Sequence, residues 1–320
     1  MHNSIFATTA LVATAGIASA DVSLSGAANV GLINNGTTGA KAEMYQNMSI
    51  TATMAGETDG GLAFGATLTV RNGDDIDFDT GDLQTNDSGA STSPAADTTA
   101  NDGVFNSLSD TSFGSIYVSG DFGKLTFDRA GIDNLMDDGS ESHDLQYDYS
   151  VGALSVSATA AINAPTNAAT DKLGDDWSLK VSYTADAATV TVKTDDEGES
   201  DTTLAYALND TIGLSVNYDT DGQTVNSVAK AETIVKATYS AGAMSGHVAW
   251  ADDKDDAWEF GVGYTAGALT LGATVAENDG TTAAGTEYDV TASYDLGGGM
   301  TIKGAANDHG AYYIGTALAF

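Results

Sequence analysis

Between Trp258 and Glu277 the chain reads WEFGVGYTAGALTLGATVAE, an alternation of large apolar with small or polar residues that breaks once. Trp258, Phe260, Val262 and Tyr264 share one phase, and Leu269, Leu271, Ala273 and Val275 resume it after the break TAGA. Side chains of a strand point alternately to the two faces of its sheet. The pattern therefore predicts a β-hairpin with one apolar face and one small or polar face. The unit recurs along most of the chain, so repetition decides the architecture before any single residue does. Asp21–Ile33 places Val22, Leu24, Gly26, Ala28, Val30 and Leu32 on one face, and Glu43–Met54 places Met44, Met48, Ile50 and Met54 there. Leu62 to Val70 continues the pattern, and shorter strands at Ser112–Ser119 and Lys124–Ala130 flank the turn GDFG. From His143 onward, paired strands meet at short turns around Gly152, Asp186, Asp210, Gly242, Gly267 and Gly298, with longer acidic loops between the pairs. Counted this way the chain holds 18 strands.

Tight turns at one end and longer loops at the other are what an outer-membrane barrel shows. The aromatic residues sort the same way. Tyr149, Tyr183, Tyr206, Tyr239, Tyr264 and Tyr294 lie on the apolar face just before a short turn, while Trp177, Trp250 and Trp258 lie at the long-loop ends. Two bands of amphipathic rings about one strand length apart are expected where two membrane interfaces lie. Roughly 7–9 residues separate them, close to what a tilted strand needs to cross the hydrocarbon layer. The reading is an all-β, antiparallel transmembrane β-barrel of 16–18 strands. A secreted or surface β-rich adhesin, or a structural barrel without a conducting pore, is the alternative; it would not need the two aromatic bands.

Composition narrows the picture. Two Pro and 37 Gly in 320 residues suit long paired strands that meet in tight turns. The absence of Cys excludes disulfides and thiolate metal sites. A net charge of −34 argues against nucleic acid as a partner and favours cations. At the start, Ile5–Ile17 is a mostly apolar run, and Ala18-Ser19-Ala20 is an A-x-A cleavage site. Residues 1–20 are thus expected to be a signal peptide cleaved near Ala20, and residues 21–320 a single barrel domain. His143, His247 and His309 lie far apart in the pattern, and no G-x-S-x-G or H-E-x-x-H occurs, so the chain is not expected to be an enzyme.

The last ten residues, AYYIGTALAF, keep period two to the terminal Phe320, with Tyr312, Ile314, Thr316 and Leu318 in its phase. This ending resembles the C-terminal insertion signal of bacterial outer-membrane barrels. With ADVSLSGAANVGL at the mature start, GETDGGLAFGATLTV, GDFGKLTFDRA, YSVGALSVSA and YDLGGGMTIKGAAND, it makes the chain resemble the alphaproteobacterial, Rhodobacter-type general diffusion porins end to end. The resemblance implies a homotrimer of barrels in the outer membrane, each with its own water-filled pore, and a third external loop folded inward as a constriction. It also implies 16 strands, where the chain's own count is 18.

A porin does no covalent chemistry; it offers a wet lumen with a size limit and an electrostatic bias. The alternation puts Glu43, Arg71, Lys180, Lys193, Glu232, Lys236, His247, Glu259, Glu287, Asp289 and Lys303 on the inward face. Charge is costly on a lipid face and tolerated in a lumen. In the resembling family, acids on the constriction loop face bases on the wall. Transferred here, the acids are Asp133, Asp137, Asp138 and Glu141 in a candidate loop over 130–142, and the bases are Arg71, Lys124, Arg129 and Lys180. Strict alternation puts Arg129 in phase with Leu125 and Phe127, facing lipid, and Asp128 inward, so a bulge or the strand's end must reset the phase.

A long external loop over 73–110 begins GDDIDFDTGD. Asp75, Asp77 and Asp79 partly mimic a calcium loop, but Thr80 stands where an EF-hand needs Gly and Asn86 where it needs Glu. No cofactor is expected beyond loosely bound calcium bridging the acidic loops to lipopolysaccharide. Gly26 and Ala28 beside Met44 and Met48 suit protein contact, so the first two strands are the expected trimer interface. The overall expectation is passive diffusion of small hydrophilic solutes and ions, with a preference for cations.

Overall fold

The computed structural model describes residues 21–35, 39, 41–73, 111–136, 141–162, 176–225, 228–252, 257–278, 285–308 and 310–320. Eighteen strands run through them: β1 (Asp21–Asn35), β2 (Glu43–Glu57), β3 (Ala63–Gly73), β4 (Thr111–Gly120), β5 (Gly123–Asp133), β6 (Glu141–Val151), β7 (Leu154–Ala160), β8 (Trp177–Ala185) and β9 (Ala188–Asp195), then β10 (Ser200–Ala207), β11 (Ile212–Val225), β12 (Val228–Ala241), β13 (Met244–Ala251), β14 (Trp258–Ala266), β15 (Leu269–Asn278), β16 (Gly285–Gly297), β17 (Met300–Asn307) and β18 (Ala311–Ala319). Each pairs antiparallel with its neighbours in sequence, and β1 pairs with β18, so the sheet has no free edge strand. The barrel therefore has 18 strands, as the chain's own period-two pattern predicts, and not 16.

Four of the short turns, those after β6, β8, β12 and β14, close as two-residue hairpins. Their first residue has positive φ, at Gly152, Gly242 and Gly267, and at Asp186 with φ 49°. Such primed turns match the right-handed twist of the strands they join.

Alternation sorts the side chains as expected, and the sorting is inverted relative to a soluble protein. Val248 and Trp250 of β13 are exposed while Ala249 and Ala251 between and beyond them are buried; Phe260, Val262 and Tyr264 of β14 are exposed while Glu259 and Gly261 are buried. Across the barrel Leu24, Ile314, Val216, Val235 and Val290 are exposed, whereas Glu232, Asp289, Asp201, Asp195 and Thr274 are buried. Burying charge and exposing aliphatic surface is unfavourable in water on both counts. It becomes favourable when hydrocarbon surrounds the barrel and water fills it. Tyr183, Tyr206, Tyr239, Tyr264 and Tyr294 are all exposed on the outward face near the short turns. At the other end Trp250 and Trp258 are opposite each other in the ladder, and the Trp258 indole N–H donates to the Glu277 carboxylate at 2.6 Å.

The closing seam is tightly built. Phe320 extends the β1–β18 ladder by exchanging backbone hydrogen bonds with Gly26 at 2.8 and 3.2 Å. Higher up, Ile33, Tyr45, Ala305 and Tyr313 form a small buried apolar cluster. The Tyr45 hydroxyl lies over the facing pair Gly31 and Gly315, and a Cβ on either would collide with it.

Candidate pore constriction

The site begins with an irregularity in β5. Phe127 is opposite Leu145, but the next paired residue, Ile132, is opposite His143. Five residues advance on β5 against two on β6, so three are looped out of the ladder. Such a bulge resets the phase and re-aims side chains, which is the reset that Arg129 called for. Beyond it, Ile132 is buried, and the chain continues inward through Asn134, Leu135 and Met136. The Asn134 side-chain carbonyl accepts the Met136 N–H at 2.9 Å and tightens this segment into a turn.

The segment is tied to the neighbouring wall, over β6, β7 and β8. The Leu135 N–H donates to Ser178 Oγ of β8 at 2.9 Å. Ser178 Oγ is 2.6 Å from Thr159 Oγ1 of β7, and Thr159 Oγ1 is 2.6 Å from His143 Nδ1 of β6. His143 Nε2 in turn meets the Asp176 carboxylate at 2.7 Å. His143 and Ser178 are fully buried, and Asp176 is half exposed.

Between this segment and the wall lies a cavity of about 460 Å³, lined by Ser115, Thr126, Asp128, Ile132, Asp133, Asn134, Leu135, Gln146, Lys180 and Lys193. Its acids, Asp128 and Asp133, come from β5. Its bases, Lys180 and Lys193, are opposite each other on β8 and β9. Lys193 Nζ is 3.2 Å from Asp201 Oδ2, and Asn217 also donates to the Asp201 carboxylate. Lys180 has no ion pair among the described residues, so it is the less compensated cation of the wall.

Of the residues predicted for the constriction, Asp133 and Lys180 are brought to this cavity. Arg71 is exposed on β3 opposite Ser49 and does not line it. Lys124 lies close to the short turn after β4, with its ammonium 4.9 Å from the Tyr117 ring centre, and Arg129 is exposed within the bulge. Asp137 and Asp138 lie outside the described residues, as does the side chain of Glu141, whose backbone is opposite Asp133. β5 runs on to Asp133 and β6 starts at Glu141, so much of the candidate loop 130–142 is strand. Asp75, Asp77 and Asp79 lie outside the described residues. Among the described residues no three His, Asp or Glu side chains are grouped to hold a metal ion.

Asp128 and Lys193 are the lining charges that site reasoning from sequence missed. Both carried a signal. Asp128 is inward by alternation, and counting outward from the Asp186-Ala187 turn puts residue 193 opposite residue 180.

Elsewhere on the inner wall the polar face is knit by hydroxyl pairs, among them Thr51–Thr69, Ser182–Thr191 and Ser150–Ser155 at 2.9–3.0 Å. His247 Nε2 is hydrogen-bonded to Glu259 Oε1, while Glu259 Oε2 is buried without a hydrogen-bond partner among the described residues.

The family model described as Gram-negative porin matches residues 7–310. None of the curated proteins matches the chain in sequence. Among solved structures, a triple mutant of Rhodopseudomonas blastica porin superposes with a TM-score of 0.52 at 17% identity, over 93% of this chain and 100% of that one. A second mutant of the same porin gives 0.51 at 16% identity over the same shares. A porin structure refined at 1.8 Å gives 0.50 at 21% identity, again over 93% and 100%. At these identities the likeness is one of fold.

Proposed function

The chain belongs to the Gram-negative porin family, and from that premise we propose that it is a passive channel for small hydrophilic solutes and ions, narrowed where the segment after β5 meets β8. The observation that carries the reading is the inward segment itself. Leu135 is held to Ser178 of β8, three strands on from β5, and the cavity beside it is lined by Asp128 and Asp133 of β5 and by Lys180 and Lys193 of β8 and β9. Opposed charges at a narrowing set a field across the path of a solute, and that field filters by charge and dipole rather than by a fixed binding contact.

The channel prefers cations. The chain's net charge of −34 raises the cation concentration at the mouth, and buried Glu232, Glu259 and Asp289 extend the negative potential along the wall. Residues 1–20 direct export and are removed near Ala20. The barrel is a homotrimer whose contact sector is β1 and β2, where Met44 and Met48 are exposed beside Gly26 and Ala28. Acidic external loops bridge to lipopolysaccharide phosphates through divalent cations such as calcium.

Planar-bilayer recording tests the reading. Discrete conductance steps are expected, with a reversal potential of cation-selective sign in a potassium chloride gradient. Absence of steps refutes the channel; anion selectivity refutes the charge argument alone.

A further inference from the structure

We propose that His143 is a positioning residue for the pore: through Thr159 and Ser178 it fixes the inward segment at Leu135 and thereby sets the width of the constriction. The inference rests on the reading of that segment as the narrowing, but concerns a residue that touches neither the cavity nor Leu135.

Hydrogen accounting makes the case. The Asp176 carboxylate is an acceptor only, so Nε2 of a neutral His143 carries the proton and donates to it across 2.7 Å. Nδ1 is then an acceptor, and the Thr159 hydroxyl must donate to it. The Thr159 oxygen is left to accept the Ser178 hydroxyl, and the Ser178 oxygen to accept the Leu135 N–H. Each donor has one acceptor and the bonds run in one direction, the arrangement in which neighbouring hydrogen bonds strengthen one another. With the hydroxyl of Ser178 turned toward Thr159, its oxygen lone pairs point at the backbone of the segment. Without His143 Nδ1 as the acceptor for Thr159, the hydroxyl protons of Thr159 and Ser178 have no imposed direction, and Ser178 is free to turn its proton toward Leu135.

Burial supports the same conclusion. Thr159, Ser178 and His143 are nearly or fully buried, so water does not compete for their bonds. Consecutive His143 and Asp144 are both buried, which breaks the alternation of β6 where the bulge in β5 faces it. The bulge that sends the segment inward and the histidine that anchors it therefore occupy the same place in the ladder.

Single-channel conductance in planar bilayers, with liposome swelling by sugars of increasing size, tests the assignment on the full-length protein. Ser178→Ala and the near-isosteric Thr159→Val are expected to raise conductance and admit sugars that the wild type excludes. His143→Leu is expected to do the same. His143→Asn, whose carboxamide oxygen stands near the position of Nδ1 and accepts from Thr159, is expected to restore wild-type values. The double variant His143→Leu with Ser178→Ala is expected to exceed neither single variant, because both act on one chain of bonds. Ser182→Ala, which breaks the hydroxyl pair with Thr191 away from the segment, is expected to change nothing. Unchanged or lowered conductance in Ser178→Ala and Thr159→Val overturns the proposal even if His143→Leu fails to fold. A failure of His143→Asn to rescue a folded His143→Leu phenotype overturns the relay. A wild type without conductance steps refutes the channel itself, a separate outcome.

Discussion

The inverted distribution of side chains makes one substitution diagnostic. Val248 lies on the outward face of β13, opposite Phe260 and between the outer Trp250 and the short-turn end at Met244. It is half exposed. If water surrounded this face, Val248→Arg would fall among surface substitutions and change stability by no more than about 0.5 kcal/mol. In a bilayer the outward apolar band is about 25 Å tall, and Val248 lies inside it two residues short of Trp250, between the midplane, where arginine costs about 2–4 kcal/mol, and the interface, where it costs about 0–1 kcal/mol. A cost of about 1–3 kcal/mol corresponds to a loss of about 5- to 150-fold in the folding equilibrium constant. Ser245, three residues away on the inward face, supplies the internal control: Ser245→Arg enters the lumen and is expected to cost less than about 1 kcal/mol, as charges near a wet surface do. Denaturant titration of refolding into short-chain lipid vesicles, followed by tryptophan fluorescence and heat-modifiable mobility, measures both. The result that refutes the reasoning is a Val248→Arg cost equal to that of Ser245→Arg, because the apolar face would then not be in hydrocarbon.

Two further outcomes follow from the geometry. Replacing both acids of the constriction, Asp128→Asn with Asp133→Asn, removes negative charge facing Lys180 and Lys193 and is expected to shift the reversal potential in a salt gradient toward the anion side, with the shift shrinking in about 1 M salt, where the screening length is about 3 Å. At the seam, Gly315→Ala forces a Cβ into the Tyr45 hydroxyl and is expected to destabilise the barrel by about 1–3 kcal/mol in the same titration, as overpacking does; pairing it with Tyr45→Ala should recover less than the full loss, because the second change empties a buried aromatic site.

The wall was legible in the sequence and the constriction only partly so, for a physical reason. Period two is a local property, so the faces of Phe260, Glu259, Tyr264 and their counterparts can be read from a handful of neighbours. Alternation gives the face of a residue but neither its height nor its azimuth around the barrel. Arg71 and Lys124 face the lumen by pattern, yet they do not reach the cavity that Lys180 reaches. Azimuth depends on how many strands intervene, and height on register. The bulge after Phe127 defeats pattern reading outright, because three residues outside the ladder carry no alternation. Asp128 was read as inward from its phase alone, while its meeting with Lys180 and Lys193 needed the closed ring. The tether from Leu135 to Ser178 joins β5 to a strand three places on, and nothing in either stretch announces the other.

Every ladder but one joins strands adjacent in the chain, and that exception, β1 with β18, is the seam. The hairpin is thus a unit of inheritance. A gene can gain or lose one without disturbing any other pairing, since the seam closes a ring of eighteen as readily as a ring of sixteen. At a strand spacing near 4.8 Å and a tilt near 40°, one added hairpin widens the cylinder by about 4 Å. Bore and filter can therefore evolve separately: duplication sets the bore in coarse steps, and point substitutions around His143 and Lys180 adjust the filter within it.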